Sequence, residues 1–275
     1  MSATWYGDQP PPQKLPLGVS GWTRAALKTM VLVPVIFGGL FLLLLVRLLE
    51  GPIFRPRRPV TPFITVFVCR VVLRVVGLKV TVVGAFRPAT NAVVANHSSW
   101  LDIFALNSVK RVYFVSKSEV ASWPAIGWLA RATGTVFIER DRSKAAAQSA
   151  ALKERLSAGH MLLFFPEGTS SDGLRLLPFK TSLFSAFFDP ALHDSFQIQP
   201  ASLRYKAPPG QDPRFFGWWG DMEFGPHFLR VLAFGAGGQV IIRYHDPIQV
   251  SGFSDRKSLA LVCEQAVRRG IASDA

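Results

Sequence analysis

The first long pattern along the chain is an apolar run that no charged residue interrupts. It extends over the 18 residues from Thr29 to Val46, after a proline-rich, aperiodic segment over residues 1–28 that we expect to be a loose tail. A helix of this length reaches about 27 Å, slightly less than the ~30 Å hydrocarbon core of a bilayer. The run therefore predicts a membrane-anchoring helix. Pro34 permits a bend within it, so a full span and a half-inserted helical hairpin both remain open.

A second apolar stretch follows, from Pro62 to Val76, and it carries two arginines. Arg70 and Arg74 are four residues apart and therefore share one face of a helix. Because no acid in the stretch balances them, the pattern favours a helix that lies in the headgroup layer. We expect residues 29–78 to form one membrane-associated helical segment. Basic residues after the first apolar run slightly outnumber those before it, which favours a cytoplasmic location for the rest of the chain.

From Lys79 onward the pattern changes to short apolar strands that alternate with helical stretches. This alternation predicts an α/β domain over residues 79–275, in which helices flank a mostly parallel or mixed sheet. The predicted strands are Lys79–Val83, Ala92–Ala95, Arg111–Val115, Thr135–Glu139, Met161–Phe165, Phe196–Leu203 and Gln239–Tyr244. The predicted helices are Ser99–Ser108, Pro124–Ala132, Ser143–Ser157, Thr181–Phe188 and Asp255–Arg269.

The composition and charge of the chain limit the kinds of partner that it is expected to bind. Charged residues make up 18% of the chain, compared with about 25% in ordinary soluble domains, and this deficit favours membrane contact. The net charge of +13 indicates a polyanionic partner, which is a nucleic acid, an anionic lipid surface, or an acidic substrate or carrier protein. Cys69 and Cys263 are the only cysteines, which excludes a disulfide scaffold and a cysteine-based zinc site.

A histidine and an aspartate follow the predicted strand Ala92–Ala95. His97 lies just before the next helix and Asp102 about one turn inside it. A carboxylate in this position can orient an imidazole and stabilise its protonated form, so that the other ring nitrogen removes a proton from a hydroxyl group. In the alternative interpretation, Asp102 only complements the helix dipole and His97 is an ordinary loop residue.

A second candidate loop follows the strand Met161–Phe165. It reads Phe165-Pro166-Glu167-Gly168-Thr169 and continues with polar residues to Gly173. Such a turn exposes backbone N–H groups beside one carboxylate, and it could hold an anion or polarise a carbonyl oxygen. An ordinary turn, with glycine for the bend and hydroxyl groups as caps, would show the same residues.

Taken together, the two motifs give the chain a family resemblance. The sequence resembles the glycerolipid acyltransferases, the family typified by 1-acylglycerol-3-phosphate O-acyltransferase, over about residues 80–250. That family carries four ordered blocks, and each has a counterpart in this sequence. The counterparts are His97 to Asp102 with four residues between them, Gly134–Arg140, Phe165–Thr169 and Ile198–Ala201.

The resemblance implies that an acyl group moves directly from a thioester to a hydroxyl group. His97 would be the general base and Asp102 would orient it, without a cofactor or a metal. The acyl donor would be acyl carrier protein or acyl-CoA, the acceptor a lysolipid, and a nucleic acid would have no part. Trp100 and Phe104 would line the acyl groove. The residues assigned to substrate binding on this basis are Arg140, Glu167, Gly168, Thr169, Lys180 and Pro200.

One departure from the family pattern concerns the acceptor. Members that use phosphate-headed acceptors usually have an arginine where this chain has Ser170, so the case for a phosphate headgroup is weaker. Residues 171–173, 178–180 and 218–222 resemble instead the branch that acylates lyso-ornithine lipid, and Arg175 could supply a replacement cation. We therefore expect lyso-ornithine lipid as the acceptor, with 1-acyl-sn-glycerol-3-phosphate as the alternative.

Two other classes of protein are weaker alternatives. A serine hydrolase would need a Gly-x-Ser-x-Gly turn, which the sequence lacks. A catalytically silent membrane-bound protein would use the positive charge but would not need His97 and Asp102. The resemblance and the apolar N-terminus together imply a membrane-associated enzyme, which we expect at a bacterial inner membrane with the catalytic domain on the cytoplasmic face.

Overall fold

The N-terminal part of the protein is a pair of packed helices. The computed structural model describes residues 4–12, 16–123, 125–139, 145–188 and 196–273. Helix α1 spans Gly18–Phe54 and continues without a break through two prolines, and α2 spans Thr61–Val76. The half-inserted hairpin that a bend at Pro34 would permit is therefore not formed. The polypeptide turns back only after Phe54, between the two helices.

Helix α1 also begins well before Thr29, where the apolar run had predicted its start. Its first turns are held by contacts that the sequence pattern does not contain. Gly21 packs against Ala233 and Phe234, and the ammonium group of Lys28 donates a hydrogen bond to the carbonyl oxygen of Val76 over 2.8 Å. Residues 18–28, expected to be part of a loose tail, are therefore helical because tertiary contacts stabilise them.

A buried stripe runs along the whole of α1. Its buried residues are Gly21, Ala25, Leu32, Leu43 and Glu50. The other faces of the helix are largely exposed. By length and mean hydropathy, α1 is the one helix in the described part of the chain that could cross a membrane, and 11% of its most apolar window is buried. The helix therefore has one protein-facing side and a wide apolar outer surface.

Helix α2 matches its predicted range and ends at Gly77, whose φ of +87° closes the helix in the left-handed conformation that glycine favours. The exposed face of α2 is formed by residues at three- and four-residue spacing, which are Phe63, Phe67, Arg70 and Arg74. The opposite face packs on the α/β domain. Two aromatic rings and two guanidinium groups thus share one solvent-facing side of α2.

The α/β domain contains a mixed sheet of the predicted kind, with eight strands where the sequence pattern indicated seven. The strand order is β1-β7-β6-β2-β5-β3-β4, with β8 beside β6. All pairings are parallel except β6 with β7 and β6 with β8. The strands are β1 (Lys79–Val83), β2 (Ala92–Ala95), β3 (Tyr113–Lys117), β4 (Val136–Ile138), β5 (Leu162–Phe164), β6 (Gln197–Lys206), β7 (Gln239–Tyr244) and β8 (Ile248–Gln249).

Helices cover both faces of this sheet. Strand β2 is buried on both sides, since Val93 and Ala95 face the cluster that α1 and α2 share, whereas Ala92 and Val94 face the opposite cluster. The pattern did not predict β8 or the helix Phe224–Phe234. The helices of the domain are α3 (Leu101–Val109), α4 (Ile126–Thr133), α5 (Ala145–Ser157), α6 (Phe224–Phe234) and α7 (Arg256–Ser273). The described residues also contain the 3₁₀ segments Ser118–Ser122, Thr181–Phe188 and Val250–Gly252, of which Thr181–Phe188 was expected to be an α-helix.

The sheet register brings the two candidate loops together. Strands β2 and β5 are parallel neighbours with Val94 opposite Phe164, so the segments that follow them leave the sheet at the same edge. The first leads to α3 and contains His97, and the second contains Glu167. Ligand sites in sheets of this type lie at the carboxyl ends of the strands.

Candidate active site

A histidine–aspartate pair forms the centre of the candidate site. Nδ1 of His97 lies 2.7 Å from Oδ2 of Asp102. The same carboxylate oxygen accepts backbone hydrogen bonds from Ser98 over 2.8 Å and Ser99 over 3.0 Å. Asp102 is fully buried in the first turn of α3. The carboxylate thus holds both the imidazole and the loop that presents it.

The ring of His97 is partly exposed and is fixed in orientation. It stacks on Phe165, with ring centroids 4.3 Å apart and an interplanar angle of 16°, and 22% of its side chain is accessible. Because Nδ1 is engaged by the buried carboxylate, Nε2 is the nitrogen that can accept a proton. The pair therefore has the arrangement that general-base catalysis requires.

A tyrosine that the sequence analysis missed completes the surroundings of Asp102. The hydroxyl group of Tyr205, on β6, donates a hydrogen bond to Oδ1 of Asp102 over 2.7 Å. Burial, together with the neighbouring Asp102 carboxylate, raises the pKa of Tyr205 well above its ordinary value, so the hydroxyl stays a donor at neutral pH. The two residues are 103 positions apart, and no local spacing could have revealed the contact.

Glu167 is brought to the same site but not in the expected role. Its Oε1 accepts a hydrogen bond from the backbone N–H of His97 over 2.6 Å, and its Oε2 accepts one from Leu177 over 2.7 Å. Burial raises the pKa of Glu167 to about 8, and the two amide donors oppose this shift. A side chain with 1% exposure has no surface with which to hold an acceptor head. Its carboxylate instead ties the second loop to the backbone of His97.

The other expected substrate-binding residues lie in different environments. Gly168 has a φ of +67°, and a Cβ atom there would come within 2.8 Å of the Lys180 ammonium group, so Lys180 lies directly over the turn that also holds Thr169. Pro200 is buried within β6 opposite Val94. Arg140 lies outside the described residues.

An apolar cavity of about 280 Å³ begins at His97. It extends between the two N-terminal helices and the helices α3 and α4, and Trp100 and Phe104 are among its lining residues. The indole N–H of Trp100 donates to Nδ1 of the buried His227 over 3.0 Å. Further lining residues are Ile36, Leu40, Leu43, Val68, Phe114 and Leu129.

Arg175, the candidate replacement cation, is ion-paired. Its Nε lies 3.2 Å from Oδ2 of the buried Asp172, and its Nη1 contacts the Asp8 carboxylate. The guanidinium group also lies over the ring of Trp5, 5.1 Å from its centroid. The hydrogen bond that the guanidinium group donates to Asp8 raises the pKa of Arg175. An acceptor could use this cation only in place of Asp8 or beside it.

Comparison with known proteins decides the family. The acyltransferase family model matches residues 79–204. The sequence is 52% identical to a lyso-ornithine lipid O-acyltransferase from Rhodobacter capsulatus, over 97% of this chain and 96% of that protein. This chain belongs to the acyltransferase family. The family predicted from the four sequence blocks is thereby confirmed, and so is the prediction that the protein is an enzyme.

Two further comparisons give a more distant relative and a solved structure with the same fold. This acyltransferase is 40% identical to a 1-acyl-sn-glycerol-3-phosphate acyltransferase from Neisseria gonorrhoeae, over 47% of this chain and 50% of that one. The crystal structure of a 1-acyl-sn-glycerophosphate acyltransferase from Thermotoga maritima is similar with a TM-score of 0.64 at 22% identity, over 92% of this chain and 97% of that chain. The latter similarity confirms the predicted α/β fold.

Proposed function

We propose that this acyltransferase moves a fatty acyl group from an acyl thioester to the free hydroxyl group of lyso-ornithine lipid. The observation that carries the chemistry is the His97–Asp102 pair at the start of an apolar cavity. The 52% identity to a lyso-ornithine lipid O-acyltransferase supports the acceptor.

In the proposed reaction Nε2 of His97 takes the proton of the acceptor hydroxyl group, and the oxygen attacks the thioester carbonyl carbon. The tetrahedral intermediate then collapses, the carbon–sulfur bond breaks, and the leaving thiolate receives the proton from the imidazolium. Asp102 stabilises this imidazolium, and Tyr205 and the amides of Ser98 and Ser99 hold the carboxylate. The Ser98 side chain is fully buried, which argues against a serine-bound acyl intermediate.

The cavity is the proposed site for the acyl chain. Its walls are almost entirely apolar, and burial of each CH₂ group contributes about 0.8 kcal/mol. Because α1 and α2 supply one side of it, the N-terminal helix pair belongs to the acyl site as well as to the membrane anchor. The donor carrier, acyl carrier protein or coenzyme A, would remain outside the cavity with its thioester at His97.

The acceptor head is proposed to bind near the turn 168–170. An ornithine head carries a carboxylate and an ammonium group, so it needs both a cation and an anion nearby. Lys180 lies over Gly168, and Arg175 and Asp172 form an ion pair on the same loop. The relative from Neisseria favours 1-acyl-sn-glycerol-3-phosphate as the second candidate acceptor.

We also propose that α1 anchors the protein without leaving the surface of the domain. Its buried side contacts the rest of the protein from Gly21, against α6, to Glu50, at the start of α2. If α1 crossed the bilayer in this arrangement, the rest of the domain would have to enter the bilayer as well. An insertion into one leaflet, with exposed residues such as Phe41 and Leu48 facing the acyl chains, fits the packing better. The proposed location is the cytoplasmic face of a bacterial inner membrane.

The test combines two variants with a panel of acceptors. We expect His97→Ala to lower kcat by at least about 10²-fold, and Asp102→Asn to lower it strongly because an amide can select the wrong imidazole tautomer. Asp255→Asn is the matched control, since asparagine also caps a helix and Asp255 caps α7. Labelled acyl donor is supplied with lyso-ornithine lipid or with 1-acyl-sn-glycerol-3-phosphate. Normal transfer by folded His97→Ala would overturn the mechanism, and a strong preference for the phosphate acceptor would overturn the acceptor.

A further inference from the structure

A second cavity lies between α1 and α4, and its chemistry differs from that of the acyl cavity. Its volume is about 460 Å³. Leu40 lines both cavities, so the two share a wall. The residues around the second cavity, which we call the arginine pocket, are Leu40, Leu44, Arg47, Arg58, Trp128, Arg131 and Ala132.

The guanidinium groups of Arg47, Arg58 and Arg131 border the arginine pocket. The acid beside them, Glu50, is fully hydrogen-bonded to other groups. Glu50 accepts hydrogen bonds from the N–H groups of Val60 and Thr61, from the Thr61 hydroxyl and from Arg47. These four bonds fill the acceptor sites of a carboxylate. Glu50 therefore secures the start of α2 and has no oxygen lone pair left for a second arginine.

Arg58 shows most clearly that positive charge is in excess here. Its Nη1 donates to the carbonyl oxygen of Ala132 over 3.2 Å, while its Nε is buried and, within the described residues, has no hydrogen-bond partner. The guanidinium groups of Arg58 and Arg155 both lie over the ring of Tyr113. Burial, together with the neighbouring charges of Arg47 and Arg155, lowers the pKa of Arg58 to about 10. An anion at this point would compensate these charges.

The rest of the arginine pocket is apolar and continuous with the exposed surface of α1. Leu44 is about half exposed and Trp128 is 62% exposed. Aromatic side chains of this kind are typical of the level of lipid headgroups, and guanidinium groups bind phosphate through paired N–H donors. A ligand that matches the site needs an anionic phosphate at one end and apolar chains at the other.

We propose that the arginine pocket binds the phosphate group of an anionic glycerophospholipid whose acyl chains lie along Leu40 and Leu44. This inference rests on the proposed membrane association. Residues of α1 and α4 also form walls of the acyl cavity, including Ile36, Leu43 and Leu129. A lipid that bridges the two helices would therefore hold those walls together, and it would stabilise the folded protein through its binding energy.

The test uses the full-length protein in a neutral detergent and short-chain lipids below their micelle concentration. Binding of dihexanoyl phosphatidylglycerol, dihexanoyl phosphatidylcholine and inorganic phosphate is measured by calorimetry. We expect phosphatidylglycerol to bind most tightly and Arg131→Gln to weaken it about tenfold, as expected for one charge-assisted hydrogen bond. Arg57→Gln is the matched control, because it removes the same charge from an exposed position outside the pocket, in the α1–α2 connection that also holds Arg58.

The outcomes separate this inference from its alternatives. Equal affinity in wild type and Arg131→Gln would overturn it, and so would an equal loss in Arg57→Gln, which would indicate general attraction between charges. Inorganic phosphate that binds as tightly as the lipid would indicate a free-ion site and overturn the assignment of a lipid. Trp128→Ala provides a second variant, expected to weaken the lipid but not phosphate. Acyl transfer is measured separately on the same samples, so its absence would count against the proposed function and not against the pocket.

Discussion

Replacement of Tyr205 by phenylalanine tests whether the environment of Asp102 contributes to catalysis. The substitution removes the hydroxyl group 2.7 Å from Oδ1 of Asp102 and keeps the ring that packs 5.6 Å from Phe216. A hydrogen bond to a charged group contributes about 1.5–3 kcal/mol, and Asp102 is fully buried, which leaves water little access to replace it. If the whole loss falls on the transition state, kcat decreases about 10–150-fold.

We expect kcat to decrease while KM for the acceptor changes less than about twofold, because Tyr205 acts through Asp102 and touches no substrate in the proposed mechanism. The matched control is Tyr244→Phe, which alters another buried tyrosine on the neighbouring strand β7. The assay is steady-state acyl transfer with thermal unfolding measured in parallel.

A double variant makes this test decisive. If Tyr205 acts only through the carboxylate, Tyr205→Phe should cause little further loss in an Asp102→Asn background, since effects within one network are not additive. Wild-type kcat in folded Tyr205→Phe would refute the reasoning. So would losses that multiply fully in the double variant, because they would indicate an independent action of Tyr205.

Three further predictions follow from the structure. Ser170→Arg should raise kcat/KM for 1-acyl-sn-glycerol-3-phosphate relative to lyso-ornithine lipid by at least about tenfold, and an unchanged ratio of the two values would contradict the placement of the acceptor head. Because the pKa of buried Glu167 is raised from 4.5 to about 8, its contribution to stability is complete below about pH 4.5 and is lost as the pH rises towards 8. The melting temperature should therefore depend less on pH over that window in Glu167→Gln than in wild type. Leu48→Glu, at a position 70% exposed on α1, should weaken liposome flotation by up to roughly a hundredfold, whereas Leu261→Glu on α7 should not.

The features that depend on short-range pattern could be predicted from the sequence. The ranges of β1, β2 and β7 agree with the alternation of short apolar segments, and α2 agrees to within one residue. The His97–Asp102 pair was also visible, because a strand, a short loop and the first turn of a helix place residues five positions apart within reach of each other. The four ordered blocks were sufficient for the family, since their order and spacing lie in the sequence itself.

The groups that surround that pair, and the packing of the N-terminal helix, depend on contacts between residues far apart in the sequence. Glu167 reaches the backbone of His97, and Tyr205 reaches Asp102, because the sheet register sets β5 and β6 on either side of β2. Pro200 lies inside the sheet for the same reason. The early start of α1 depends on contacts with α6 and α2, far along the chain. The burial of a carboxylate, or the excess of guanidinium groups at one point, is the sum of many such distant contacts, and no local sequence pattern contains it.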